Sequence, residues 1–142
     1  MLKVRLILKE DNIEYDKITT ARDIVDFLNK IEQISLLPQE TVFLLCLNNK
    51  NQVVSYSEIA KGGINYCNMD LKIIFETVLL ANANKFILVH NHPSGDPSPS
   101  RQDIEITELL QKACEIMQIE LVDSLIIASN GCKSCVYRNE VK

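Results

Sequence analysis

At 142 residues the chain has the length of one compact domain with a single core. Hydrophobic residues make up 46% and charged residues 24%, the balance of an ordinary globular protein and not of a disordered or fibrous one. A formal net charge of -4, with no Lys/Arg cluster longer than a pair, argues against a bulk electrostatic grip on nucleic acid.

Taken in chain order, Leu2, Val4, Leu6 and Leu8 recur at every second position, the pattern of a half-buried strand. This N-terminal segment lacks the apolar core and cleavage site of a signal peptide, and no apolar stretch approaches the ~20 residues of a membrane span. The expectation is a soluble cytoplasmic protein without a membrane partner. Thr20-Ala-Arg-Asp23 has capping-box spacing and opens a helix with Ile24, Phe27, Leu28 and Ile31 at helical intervals. Pro38 closes that segment. Val42–Leu47 is a continuous apolar run, as in a strand covered on both faces. A turn at Asn48–Asn51 and a second run from Gln52 to Ile59 predict a hairpin.

Gly62-Gly63 interrupts the chain. Leu71, Ile74, Phe75, Val78 and Leu79 then mark a helix with one apolar face. Phe86–Val89 predicts a short buried strand that runs into His90. A proline-rich loop from Pro93 to Pro99 comes next, then a helix from about Arg101 with the stripe Ile106, Leu109, Leu110, Ala113, Cys114 and Met117. Leu121–Ala128 and Lys133–Tyr137 predict strands around a turn at Asn130-Gly131. The fold class is mixed α/β: one domain over residues 1–142, its central sheet flanked by three helices, with no internal repeat or linker.

Cys46, Cys67, Cys114, Cys132 and Cys135 are odd in number, and three of them sit in apolar runs, which suits free thiols packed as small hydrophobes. Cys132 and Cys135 have CxxC spacing. A structural zinc site needs a second pair of ligands, and a redox pair belongs at a helix N-terminus, so both are expected to be structural thiols. Asp96 and Asp123 are expected to serve turns and hydrogen bonds.

The chain has two histidines, and they stand two residues apart in His90-Asn91-His92. At a strand end, residues i and i+2 point the same way, so both imidazoles can reach one ion. Such a pair on an exposed strand is commonly incidental, but the next eleven residues raise its weight. The Pro93–Pro99 loop returns the chain to Ser100-Arg-Gln-Asp103 at a helix start. Ser100 and Asp103 read as a capping box, and a helix N-terminus is also a rigid mount for a metal-binding carboxylate. Two neutral imidazoles and one carboxylate leave the fourth tetrahedral position of Zn²⁺ open, the arrangement of a catalytic site.

The order His90, His92, Ser100, Asp103 matches the JAMM (JAB1/MPN+) signature at every spacing. The wording from His90 to Asp103 resembles the RadC-like branch in particular, and is not that of an HNH nuclease. The resemblance covers roughly residues 17–138, including Leu79-Leu-Ala-Asn-Ala83 and Ile119-Glu-Leu-Val-Asp123. It implies an MPN/JAB1 domain of cytidine-deaminase-like architecture, with zinc on His90, His92 and Asp103. The upstream Glu that the pattern needs is matched by Ser57-Glu58-Ile-Ala-Lys-Gly-Gly-Ile64, so Glu58 is the expected general base. A solvated Glu at a strand end is its alternative. Ser100 is expected to stabilise a tetrahedral oxyanion.

Two departures stand out. Ser124 occupies the place of a family His, and the helix-hairpin-helix DNA-binding segment of longer members is not found, leaving residues 1–16 as an N-terminal extension. The implied activity is hydrolysis of peptide or isopeptide bonds, with a protein or peptide substrate. A DNA-repair or mobile-element factor acting near nucleic acid is the alternative, which charge does not support. A non-catalytic MPN-like scaffold is the third, disfavoured by the intact ligand set.

Overall fold

The computed structural model describes residues 1–3, 17–62 and 70–137 and the backbone of 140–141. The expected Leu2–Leu8 strand, most of the 1–16 extension, Gly63 and Cys67 lie outside the described residues. Helix α1, Ala21–Glu32, begins at the expected capping box. Thr20 Oγ accepts the Asp23 N–H at 3.3 Å, and Asp23 Oδ2 accepts the Thr20 N–H at 2.8 Å. Gln33, at φ 51°, ends the helix in the left-handed conformation, and a single 3-10 turn covers Ile34–Leu36.

Strand β1, Thr41–Leu47, is buried at all seven positions. It is central, pairing antiparallel with β2, Val53–Lys61, on one side and with β3, Lys85–Asn91, on the other. Alternation sends Phe43, Leu45 and Leu47 into a cluster with Ile24 and Leu28 of α1. Val42, Leu44 and Cys46 go to the opposite face. There they meet Ile74 and Val78 of α2, Leu71–Leu80, and Ile106 and Leu110 of α3, Arg101–Met117. A strand with a hydrophobic layer on each face has no polar side, which explains its unbroken apolar run.

Strand β4, Glu120–Ala128, lies parallel to β3, joined to it through the proline-rich loop and α3. Strands β5, Gly131–Ser134, and β6, Glu140–Val141, complete a six-stranded mixed sheet in the order β2-β1-β3-β4-β5-β6. The single α/β domain with its mixed sheet is thus observed.

One strand is shorter than expected. The Lys133–Tyr137 segment leaves the sheet after Ser134, because the Ser134 hydroxyl accepts the Tyr137 N–H at 2.9 Å and closes a turn. Cys135 therefore sits in that turn, not in a strand. Cys46, Cys114, Cys132 and Cys135 are buried free thiols, and burial pushes Cys132 and Cys135 up to about 12, where a thiolate nucleophile is not formed. No helix among the described residues is long and apolar enough to cross a membrane.

Candidate metal centre

The site forms where β3 ends and α3 begins, the carboxyl end of a sheet strand, where ligands of α/β folds collect. Alternation along β3 places His90 on the face that carries Leu88 and Phe86, toward α2 and α3. His92 stands one residue past the strand, its backbone N–H donating to Ile127 O at 2.9 Å. The two rings come together with Nε2 atoms 3.1 Å apart. His90 is 5% exposed.

The loop after His92 sets its tautomer. Asp96 O lies 2.9 Å from His92 Nδ1, and a carbonyl only accepts, so Nδ1 carries the proton and Nε2 of the neutral ring keeps a lone pair. That loop requires a glycine. Gly95 has φ +92°, and a Cβ there would lie 2.9 Å from Ser129 Oγ. Its N–H donates to His92 O at 3.1 Å, and its carbonyl accepts the Asn130 N–H at 3.2 Å. Asp96 closes the next turn by accepting the Ser98 N–H at 2.9 Å, as expected of a turn residue.

Helix α3 delivers the first carboxylate. Asp103, 2% exposed, places Oδ1 3.3 Å from His90 Nε2 and Oδ2 3.4 Å from His92 Nε2. It completes the capping box at the same time: Ser100 N–H donates to Oδ2 at 2.7 Å, and Ser100 Oγ accepts the Asp103 N–H at 3.1 Å. Capping the helix and facing both imidazoles are two uses of one carboxylate. His90, His92, Ser100 and Asp103 are brought together as the spacing predicts.

Glu58 is not. From β2 it pairs with Phe43 of β1, and Tyr56 two residues earlier stacks edge-on against Phe27 of α1, so both lie on the α1 face of the sheet. His90 faces the other way. The Glu58 carboxylate is 47% exposed and meets Lys61 at 4.0 Å. Strand alternation is what separates it from the histidines.

The carboxylate that does arrive is Glu40. Its Oε1 lies 3.6 Å from His92 Nε2, and Glu40, His90 and His92 each offer a ligand atom within 4.8 Å of the others. The signal for it is the antiparallel register of β1 and β3. Val42 faces His90, so residue 40 falls opposite residue 92. Asp103 meets the same two Nε2 atoms with a different oxygen for each.

Two Nε2 atoms at 3.1 Å repel where both present lone pairs, and a proton or a cation between them removes that repulsion. Two carboxylates beside them favour positive charge, and the Asp103 carboxylate, accepting a hydrogen bond from the His92 ring, raises the His92 pKa above its ordinary value, against the opposing effect of burial. The donor set of imidazole nitrogen and carboxylate oxygen fits a divalent transition-metal ion such as zinc. These residues can hold a metal ion.

Farther from the centre, Asp123 is buried and accepts from Ser134 Oγ at 2.6 Å and from the Ser124 N–H at 2.7 Å, the hydrogen-bonding role expected of it. Ser124 is buried beside it.

The same stretch of chain is shared with known proteins. The family model described as RadC-like JAB domain matches residues 18–140. A UPF0758 protein of Coprothermobacter proteolyticus is 36% identical over 125 residues, covering 87% of this chain and 53% of the relative. One from Clostridium perfringens is 41% identical over 114 residues, covering 80% and 49%, and one from Flavobacterium johnsoniae 39% over 127 residues, covering 89% and 55%. The chain spans about half the length of the curated relatives it matches.

Proposed function

The chain belongs to the RadC-like JAB domain family, and on that premise we propose that it is a zinc-dependent hydrolase of amide bonds, peptide or isopeptide. The observation that carries the proposal is the convergence of His90, His92, Asp103 and Glu40 within 3.1–3.6 Å at a strand end. His90, His92 and Asp103 would hold the ion. When bound, zinc supplies Lewis acidity that polarises a carbonyl and acidifies water.

The general base expected at Glu58 is assigned instead to Glu40, the carboxylate on the site's side of the sheet. Its side chain is 28% exposed, buried enough to be aimed and open enough to exchange a proton with water. Glu40 takes a proton from the attacking water and returns it to the leaving amine. Ser100 Oγ accepts the Asp103 N–H, which leaves the hydroxyl hydrogen to donate to a tetrahedral oxyanion. A cleft of about 370 Å³ borders His92 on the Asn91 side of the strand end, lined also by Leu36, Pro38, Pro93 and Ala128, and has room for an apolar side chain of a protein or peptide substrate.

The test has two steps. Metal analysis of the purified protein should find one zinc per chain, lost in His92→Ala. Peptides and isopeptide-linked fusions, screened before nucleic acids, should then be cleaved by wild type and not by the zinc-free protein. Stoichiometric zinc surviving in a His90→Ala/His92→Ala double variant would overturn the assignment of ligands. A zinc-loaded protein that binds partners with no turnover would identify a scaffold instead.

A further inference from the structure

Between the two histidines stands Asn91, 3% exposed. Because side chains alternate at the strand end, Asn91 points away from the imidazole pair, toward the segment that enters β1. Its carboxamide is used at both ends. Oδ1 accepts the Thr41 N–H at 2.7 Å, and Nδ2 donates to Gln39 O at 3.0 Å and to Leu37 O at 3.3 Å. Three backbone groups from 37 to 41 thus end on one side chain, 50 or more residues away in sequence.

Glu40 sits inside that clamp. Its own carbonyl accepts the Gly62 N–H at 2.9 Å, a second tether from the end of β2. Pro38 and Gln39 belong to no helix or strand, and the Thr41 hydroxyl, donating to Gln39 O at 3.1 Å, is a local bond beside the clamp. Thr41 is fully buried, and its N–H has no water to turn to if Asn91 is lost. Only a carboxamide offers an acceptor and two donors in one plane. An aspartate would keep the bond to Thr41 and turn its second oxygen against two carbonyls.

We infer that Asn91 is a positioning residue: its carboxamide splints the Leu37–Thr41 segment and so sets the Glu40 carboxylate against His92. One short stretch of chain, His90-Asn91-His92, thereby aims two imidazoles on one side and a carboxylate carrier on the other. The inference deepens the metal-site reading and rests on it for its consequence, while the splint itself is independent of metal.

The test compares wild type with Asn91→Asp, Asn91→Ala and Glu40→Gln by two readouts that need no substrate. Backbone amide exchange reports the splint: the Thr41 amide should exchange about tenfold faster or more in Asn91→Ala, which removes its acceptor, while the mid-strand Leu44 amide is unchanged. Visible absorption of the cobalt(II)-loaded proteins reports the carboxylate. Glu40→Gln should shift the bands, Asn91→Asp should shift them in the same direction, and the double variant should match Glu40→Gln alone. Unchanged Thr41 exchange overturns the splint. Faster exchange with an unshifted Asn91→Asp spectrum overturns its link to Glu40, as does a Glu40→Gln spectrum identical to wild type. Global unfolding of both Asn91 variants also counts against it, because the three bonds end on one loop and not in the core. If wild type binds no cobalt, the metal reading falls, and the exchange data alone decide the splint.

Discussion

Replacing Ser100 by Ala separates the two duties that meet at the start of α3. The substitution deletes one bond, the Asp103 N–H to Ser100 Oγ contact at 3.1 Å, and leaves its reciprocal intact, because the 2.7 Å bond to Asp103 Oδ2 comes from the backbone N–H of residue 100. Loss of an N-cap oxygen costs about 0.5–2 kcal/mol, and with the carboxylate arm retained the expected loss is about 1 kcal/mol. For a domain of this size that corresponds to a melting midpoint lower by roughly 2–4 °C. Asp103 keeps its contacts to both imidazoles, so zinc affinity should stay within about threefold of wild type and the stability loss should be equal with and without metal. Thermal melts of the zinc-free and zinc-loaded proteins, with competitive zinc titration, measure both quantities. Identical midpoints would show that Ser100 does no capping. A loss confined to the zinc-loaded form would show that Ser100 acts through the metal and not through the helix.

Glu40→Gln should retain zinc and lower amide hydrolysis by about 10²–10⁴-fold, whereas Glu58→Gln should leave it at the wild-type rate; the reverse order in a turnover assay restores the base to Glu58. Gly95→Ala forces a side chain onto φ +92° and should cost about 1–2 kcal/mol, with weaker zinc binding because the turn that fixes His92 shifts. A Gly95→Ala protein of wild-type stability would contradict the geometry of that turn. Thr19 and Thr20 hold the Asp23 carboxyl down to about 2, so its contribution to α1 is present above the ordinary carboxylate range and lost as pH falls through about 2. Asp23→Asn should abolish that acid-dependent part, read from helix amide exchange across the same range. Burial raises the Asp123 carboxyl, so its charged form opposes folding, and stability present in acid is lost as pH rises through the folded value. Asp123→Asn keeps an acceptor for Ser134 and Ser124 and should gain stability relative to wild type from about pH 4 toward neutrality; a difference independent of pH in denaturant titrations would refute it.

Local signals explain why most of the architecture is legible in the sequence. Capping boxes at Thr20 and Ser100, the apolar face of Leu71–Leu80 and the buried run Val42–Leu47 are set by neighbours three, four or two residues away, and each appears where the pattern puts it. The Lys133–Tyr137 strand fails at its end because a side-chain contact, Ser134 Oγ to the Tyr137 N–H, competes with the ladder. Hydroxyls can cap or pair, and the sequence alone does not say which.

The site divides along the same line. His90, His92, Ser100 and Asp103 lie within 14 residues, so their convergence comes from one strand end, one loop and one helix start. Glu40 stands 50 residues from His90 and enters through strand pairing, which is a long-range property. Two acidic residues flank strands in this half of the chain, Glu40 before β1 and Glu58 within β2, and both adjoin apolar runs of similar character. What distinguishes them is parity. A residue opposite Phe43 belongs to the α1 face, and a residue two before Val42 belongs to the face of His90. Once Val42 is known to lie against His90, the choice has a single answer. Asn91 ties the same two strand ends together by its side chain, so the residue least informative in the His-x-His pattern is the one that reports which carboxylate completes it.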